Sequence, residues 1–169
     1  MRWIGILAVC LSLSSLGFYF SFLFRKRIST LRLLSEFFSG FDEIASSGAK
    51  NTAEALLILI SRPQFSRLDF LHCLSDSLSD GCNIKELWLQ AVSNAEELRF
   101  LHNTSEELLF SFADVLGKGT LREFSEKCRY YSDRFYRLCE REEEKWQKNR
   151  SLMPLSGIIA AAFVFLVLI

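Results

Sequence analysis

The sequence predicts an all-α protein, an antiparallel bundle of about six soluble helices held between N- and C-terminal transmembrane helices. Three observations carry this expectation. Apolar residues between 25 and 150 recur at steps of three and four, and no stretch alternates convincingly with period two. Just two prolines interrupt 169 residues. The hydrophobic half of the composition is concentrated in two uncharged stretches, one near each end. The expected domains are an N-terminal transmembrane helix over 1–24, a cytoplasmic helical-bundle domain over 25–150 and a C-terminal transmembrane helix over 151–169.

Trp3 to Phe24 carries no charge and, at about 20 residues, is long enough to cross a bilayer as a helix. It lacks an A-x-A cleavage site and runs straight into Arg25-Lys26-Arg27, the pattern of a retained anchor rather than a cleaved signal peptide. From Arg27 the pattern stays helical, with Leu31, Leu34, Phe38, Phe41 and Ala45 forming a heptad-like stripe that Gly48 ends. Asn51 and Glu54 offer an N-cap and its N3 glutamate for a short apolar helix that stops before Pro63. Phe65, Leu68, Leu71, Leu74 and Leu78 line a third helix, closed by Gly81. Asn83 and Glu86 repeat the capping pattern ahead of Leu87, Trp88, Ala91, Val92 and Ala95. Thr104 and Glu107 open a fifth helix whose Leu108, Leu109, Phe112, Val115 and Leu116 lead to Gly117. Thr120, with Glu123 at N3, then caps the longest one, where Leu121, Phe124, Cys128, Tyr131, Phe135 and Leu138 again step by three and four toward Arg150. Met153-Pro154, at the start of the second uncharged stretch, Leu152 to Ile169, marks a break or a fresh first turn at the membrane surface. The helix leaving the first anchor and the helix entering the second should run antiparallel as a stem. The four shorter helices form its head.

Charge placement orients this arrangement. Arg2 alone precedes the first stretch and Arg25-Lys26-Arg27 follows it, while Lys145, Lys148 and Arg150 precede the second. Both flanks put the soluble domain on the cytoplasmic side. Five cysteines, Cys10, Cys73, Cys82, Cys128 and Cys139, are odd in number and contain no C-x-x-C, so they outline neither a disulfide framework nor a zinc site. Formal net charge is zero, which predicts no general affinity for nucleic acid. The charge is uneven, however: acids lead from Glu36 to Asp114, and bases lead from Lys118 to Arg150.

The motifs that suggest chemistry have simpler readings. Gly117-Lys118-Gly119-Thr120 resembles part of a phosphate-binding loop, but that loop needs a glycine where Phe112 stands and Ser or Thr where Gly119 stands. Gly117 as a helix stop and Thr120 with Glu123 as a capping box explain every residue of the corner. His72 and Cys73 are adjacent, and consecutive helical side chains point about 100° apart, so they do not make a dyad. Glu140, Glu142, Glu143 and Glu144 lie among Arg137, Arg141, Lys145 and Lys148 without the Glu-x-x-His of a bundle metal site, and read as a solvated face with ion pairs. Tyr130, Tyr131, Phe135 and Tyr136 among Arg129, Arg134 and Arg137 read as packing rather than base stacking. Trp88 reads as a core anchor, and Trp146 as an interfacial residue. No catalytic, cofactor-binding or metal-binding residues are expected, and no cofactor.

Several residues together resemble a known family. The Trp88 helix, F-x-x-x-L-G at Phe112 to Gly117, and Arg150-Ser151-Leu152 followed by Gly157 and an apolar tail are similar to the stage III sporulation protein AB family, over essentially the whole chain. The family pattern has Asp after the L-G turn and Gln four residues later, where this chain has Thr120 and Phe124. Its glycine after R-S-L is Met153 here. The resemblance implies a membrane protein of the secretion-like channel between mother cell and forespore. It also implies a soluble domain similar to the cytoplasmic domains of the type II secretion inner-membrane platform protein, docking a cytoplasmic ATPase to membrane components. Expected partners are that ATPase, other membrane proteins of the channel, membrane lipid and a possible further copy of the chain. The candidate partner-binding residues are Lys118, Thr120 and Arg122. The alternative is a membrane-anchored helical signalling adaptor.

Overall fold

The computed structural model describes residues 2–46, 52–78, 83–116 and 120–150 with positions 155, 159, 162 and 163. Six α-helices and two 3-10 turns make up the elements, and no strand occurs among the described residues. The helices are α1 (Arg2–Ser46), α2 (Thr52–Ile60), α3 (Asp69–Leu78), α4 (Ile84–Asn94), α5 (Asn103–Phe112) and α6 (Leu121–Asn149). Among the described residues the fold is all-α, and the six helices expected over 25–150 occur in the expected order, the first of them continuous with the stretch expected as an anchor. It divides into two compact units, one of Met1–Ile28 with Glu140–Ile169 and one of Ser29–Cys139.

Helix starts follow the capping chemistry where polar side chains reach the first turn. Asn83 Oδ1 accepts from the Lys85 N–H at 3.1 Å, and its Nδ2 donates to Glu86 Oε1 at 3.2 Å. Before α6, Thr120 and Glu123 form a reciprocal box: the Glu123 N–H reaches Thr120 Oγ1 at 3.4 Å and the Thr120 N–H reaches Glu123 Oε2 at 3.1 Å. Three boundaries differ from expectation. Phe65 belongs to a 3-10 turn, Pro63–Phe65, because Pro63 sits in the first turn and fixes φ there while Arg62 stays extended; α3 begins at Asp69 instead. Thr104 does not cap α5. The cap position is His102, extended and without a side-chain bond, so Thr104 falls inside the first turn. Finally, α5 ends at Phe112 rather than Gly117, since the N–H groups of Ala113, Asp114 and Val115 each turn back three residues, to Phe110, Ser111 and Phe112. Gly48, Asn51, Gly81 and Gly117 lie outside the described residues.

The unit Ser29–Cys139 is organised around aromatic rings. Leu31, Leu34, Phe38 and Phe41 of the α1 stripe are buried as expected, and so is Phe37 beside them. Phe112, on α5, meets rings from three other helices: Phe38 at 4.7 Å between centroids, Trp88 at 5.1 Å, and Tyr131 and Phe124 at 5.2 and 5.7 Å. Most of these pairs are edge-on, the arrangement the ring quadrupole favours. Trp88 is fully buried and needs a partner for its N–H. It donates from Nε1 to the Leu109 carbonyl at 2.8 Å. That carbonyl is reachable because the Ala113 N–H bonds Phe110 instead of continuing the α-helical pattern to Leu109.

Within the same unit, α1 and α6 run antiparallel along their seams. Ser35 Oγ donates to the Ser132 carbonyl at 3.1 Å and Ser132 Oγ returns a bond to the Ser35 carbonyl at 2.9 Å. One heptad further along α1, Asp42 accepts from Ser125. Gly40 faces α2: a Cβ there would sit 2.7 Å from Leu59 Cδ1, and Leu59, which would have to shift, is fully buried.

In the unit of Met1–Ile28 and Glu140–Ile169, Trp146 stacks on Phe24 at 6.3 Å and lies under the Arg25 guanidinium at 5.3 Å. Glu142 is buried, contrary to the solvated face expected, and pairs with Arg27 at 3.5 Å and Lys145 at 2.8 Å. Among the described residues no helix is long and apolar enough to cross a membrane. The transmembrane helices expected over 1–24 and 151–169 are therefore not seen as such, and most of their side chains lie outside the described residues.

Two substitutions probe the packing. Phe112→Ala should cost about 3–5 kcal/mol in chemical denaturation, since a buried ring contacting three helices is lost. Gly40→Ala should lower stability by about 1 kcal/mol despite alanine's better helix propensity, because the overpacking penalty of about 1–3 kcal/mol outweighs a propensity gain of at most about 1 kcal/mol. A more stable Gly40→Ala protein would show that Leu59 relaxes freely.

Candidate functional site

The corner between α5 and α6 is the place where sequence put the partner-binding residues. Gly117, Lys118 and Gly119 lie outside the described residues. Thr120 is committed to the capping box, so its side chain is structural before it is available to a partner. Arg122 projects from the first turn of α6 with 90 % of its side chain exposed, and its Nε lies 3.7 Å from Glu126 Oε1. An exposed pair at that separation is worth well under about 1 kcal/mol. A partner carboxylate can therefore replace Glu126 at little cost.

A second feature was not foreseen. Between α3, α4 and the 3-10 turn Glu96–Leu98 lies a groove of about 360 Å³. Its apolar wall is Phe70, Leu87, Ala91 and Ala95; Gln90 and Asn94 add amides, and Asp69, Glu96 and Glu97 add carboxylates. The groove exists because Glu97 reaches across it: its Oε1 accepts from the Phe70 N–H at 2.9 Å, satisfying a first-turn donor of α3 and placing negative charge at a helix N-terminus. Capping signals in the sequence are local, and this cap comes from 27 residues away. A second groove, polar and of about 610 Å³, follows the seam of α1 and α6 past Ser35, Ser39, Asp42 and Arg129.

The residues with latent chemistry are dispersed. Cys73 lines the groove of α3 and α4 while the adjacent His72 does not, as the 100° step between neighbours dictates. His102 is at the start of α5 and exposed. Cys128 is fully buried. Burial pushes its thiol well above the ordinary value of 9.0, with the nearby Asp42 carboxylate adding in the same direction. A thiolate, the nucleophilic form, is thus disfavoured at this position. Among the described residues no group of three or more His, Cys, Asp or Glu is placed to hold a metal ion. Tyr131 and Phe135 pack inside, as expected, but Tyr130 and Tyr136 of the same stripe are exposed. The sequence pattern cannot separate them, because a helix this rich in rings has more aromatic positions than its buried face can take.

A family model, stage III sporulation protein AB, matches residues 2–169. The chain belongs to the stage III sporulation protein AB family. The match takes in every helix from α1 to α6, the Trp88 anchor and the corner at Thr120, and it assigns the protein a role in sporulation. The family is a structural one and is not known for catalysis. No curated protein and no solved structure matches the chain.

Two measurements follow from the site. Thr120→Ala removes an N-cap and should cost about 1 kcal/mol, whereas Arg122→Ala should leave the melting temperature unchanged. For Cys128, the folded thiol titrates above the unfolded one, so its contribution to stability is complete below pH 9 and declines above it, as the unfolded chain ionises and the folded one does not. Unfolding free energy measured from pH 8 to 10.5 should fall more steeply for the wild type than for Cys128→Ala; parallel curves would refute the shift.

Proposed function

We propose that the protein is a non-enzymatic membrane scaffold of the mother cell to forespore channel, anchored by both ends, which docks a cytoplasmic secretion-type ATPase through the corner from Lys118 to Arg122. The observation that carries the anchoring is the exposure of large apolar side chains in the unit of Met1–Ile28 and Glu140–Ile169. Phe18, Tyr19, Phe20 and Phe22 are each more than half exposed, and Leu155, Ile159 and Phe163 follow one another at four-residue steps with exposed side chains. Contiguous exposed apolar surface of this kind calls for lipid or a protein partner to cover it. Lipid is the simpler cover, because both apolar stretches are flanked by basic residues on one side. Trp146, in contact with the Phe24 ring and the Arg25 guanidinium, has the amphipathic setting of an interfacial anchor.

Docking at the corner rests on family membership, on the 90 % exposed Arg122 side chain, and on a cap that fixes where α6 begins. In this reading the localisation is the mother-cell membrane facing the forespore, with Ser29–Cys139 in the cytoplasm. The likeness to the platform protein of type II secretion supplies the analogy: a helical domain that passes force or position from an ATPase to membrane components.

Topology comes first, with Cys73 as the reporter, since it is exposed whereas Cys128 is buried. In sporulating cells a membrane-impermeant maleimide should label Cys73 after permeabilisation in a denaturing detergent, which exposes the thiol whatever covers it, and not in intact cells. Labelling of intact cells would place the domain outside and end the docking reading. In a pull-down, Lys118→Glu with Arg122→Glu should reduce recovery of the ATPase on the order of tenfold, as expected when like charges are brought together at an interface. Unchanged recovery would move the docking site elsewhere.

A further inference from the structure

Two surfaces of the unit Ser29–Cys139 have no role in the function proposed above, and they are complementary. The first is the groove between α3 and α4, whose lining contains carboxylates and apolar atoms but no lysine or arginine. It belongs to the acidic middle of the chain: Glu36 to Asp114 holds thirteen acidic and five basic residues, a charge of −8. Of its three carboxylates Glu97 is occupied with the Phe70 N–H, and Asp69 and Glu96 lie exposed at its edge.

The second surface is a stripe on α6. Lys127, Tyr130, Arg134 and Arg137 follow at steps of three and four, so they share one face, and all four are exposed. At its centre the Arg134 guanidinium lies 5.3 Å from the Tyr130 ring centroid and its Nε donates to Tyr130 Oη at 3.0 Å. The pair is a preformed plate of one ring and one guanidinium. Lys118 to Arg150, the segment that carries it, holds ten basic and seven acidic residues, a charge of +3. Exposed tyrosine and arginine together are the side chains most enriched at binding hot spots.

We propose that the α3–α4 groove of one copy receives the Tyr130–Arg134 plate of a second copy. The groove, about 360 Å³, is at the small end of the range for binding pockets and suits a pair of side chains rather than a whole helix. Phe70, Leu87 and Ala91 would face the tyrosine ring, and Asp69 and Glu96 the guanidinium. Because the two surfaces differ, the contact is heterologous: each copy offers one groove and one plate, and copies add head to tail into a ring or an open line. Copies of one chain held on one membrane would meet at raised effective concentration. The contact rests neither on the membrane reading nor on ATPase docking, and its test contains no ATPase.

The full chain, purified in detergent, is followed by sedimentation velocity over a range of concentrations, with circular dichroism as the control for folding. The wild type should form oligomers beyond the dimer. Arg134→Glu and Glu96→Arg should each raise the apparent Kd on the order of tenfold or more, and the doubly reversed chain should regain assembly. Mixing the two single variants should restore assembly beyond the dimer, since the unchanged groove of one meets the unchanged plate of the other and the reversed groove meets the reversed plate. Mild oxidation of Lys127→Cys, beside the plate on the same exposed face and leaving it intact, should link that position to Cys73 of another copy in a ladder, which Cys73→Ser abolishes. A monomeric wild type overturns the proposal, as do single reversals without effect or a link that ignores Cys73. A monomer whose groove nonetheless shields Cys73 in cells would assign the groove to a different protein.

Discussion

Burial of the Trp88 ring together with the pairing of its N–H is the constraint on which the rest of the Ser29–Cys139 unit depends. A tryptophan with no exposed surface must find an acceptor inside the protein, and the available one is a helical carbonyl already expected to serve its own helix. The change from α to 3-10 bonding at the end of α5 makes Leu109 available. The same tightening swings Phe112 into contact with rings from α1, α4 and α6. One early helix ending thus solves a polar problem and fills the centre of the core. The end of α5 accordingly fixes the point from which the chain departs toward the Thr120 corner.

Much of this fold is legible in the sequence, because helical seams and capping boxes are local signals. The α1 and α6 stripes, the boxes at Asn83 and Thr120, and the Trp88 anchor could each be read from residues within one or two turns. What could not be read depends on distant partners. The early end of α5 is coupled to the α4 indole, 21 residues away. Glu142 looked like one more glutamate on a charged face, and is buried because Arg27 lies opposite it. Thr104 looked like a cap, yet the preceding 3-10 turn and buried Leu101 deliver the chain to α5 two residues earlier, with His102 at the cap position. At the candidate site the sequence singled out the corner and Arg122, while the acidic groove escaped notice since its walls come from three separate elements.

Electrostatic character is distributed in a manner that a net charge of zero conceals. The segment from α2 to α5 is acidic, the two helices that flank it carry most of the bases, and two of the few bases of the acidic segment, Lys85 and Arg62, are themselves engaged by Asp114 and Glu43. Exposed pairs of this type contribute little stability. Their larger effect is to set which faces attract and which repel, the property a scaffold requires of its surfaces. A domain specialised for contact needs its side chains packed for rigidity and its charges sorted by face, with no demand for a reactive thiol or base. Cys128, buried where a thiolate is disfavoured, is in keeping with that division of labour.

The paired serines at the middle of the α1 and α6 seam have a consequence for alignment. Seams of leucine and phenylalanine repeating every seven residues are nearly indifferent to sliding by one repeat, because each apolar residue finds another in the new position. Ser35 with Ser132, and Asp42 with Ser125, are separated by that same repeat on both helices. A slide of one repeat in one direction would bring Asp42 to Ser132 but leave Ser35 opposite Cys139, a weak acceptor. The two polar pairs therefore work as the teeth of a key: either would engage at a neighbouring notch, but both fit together at a single setting, and the long helices are indexed to it.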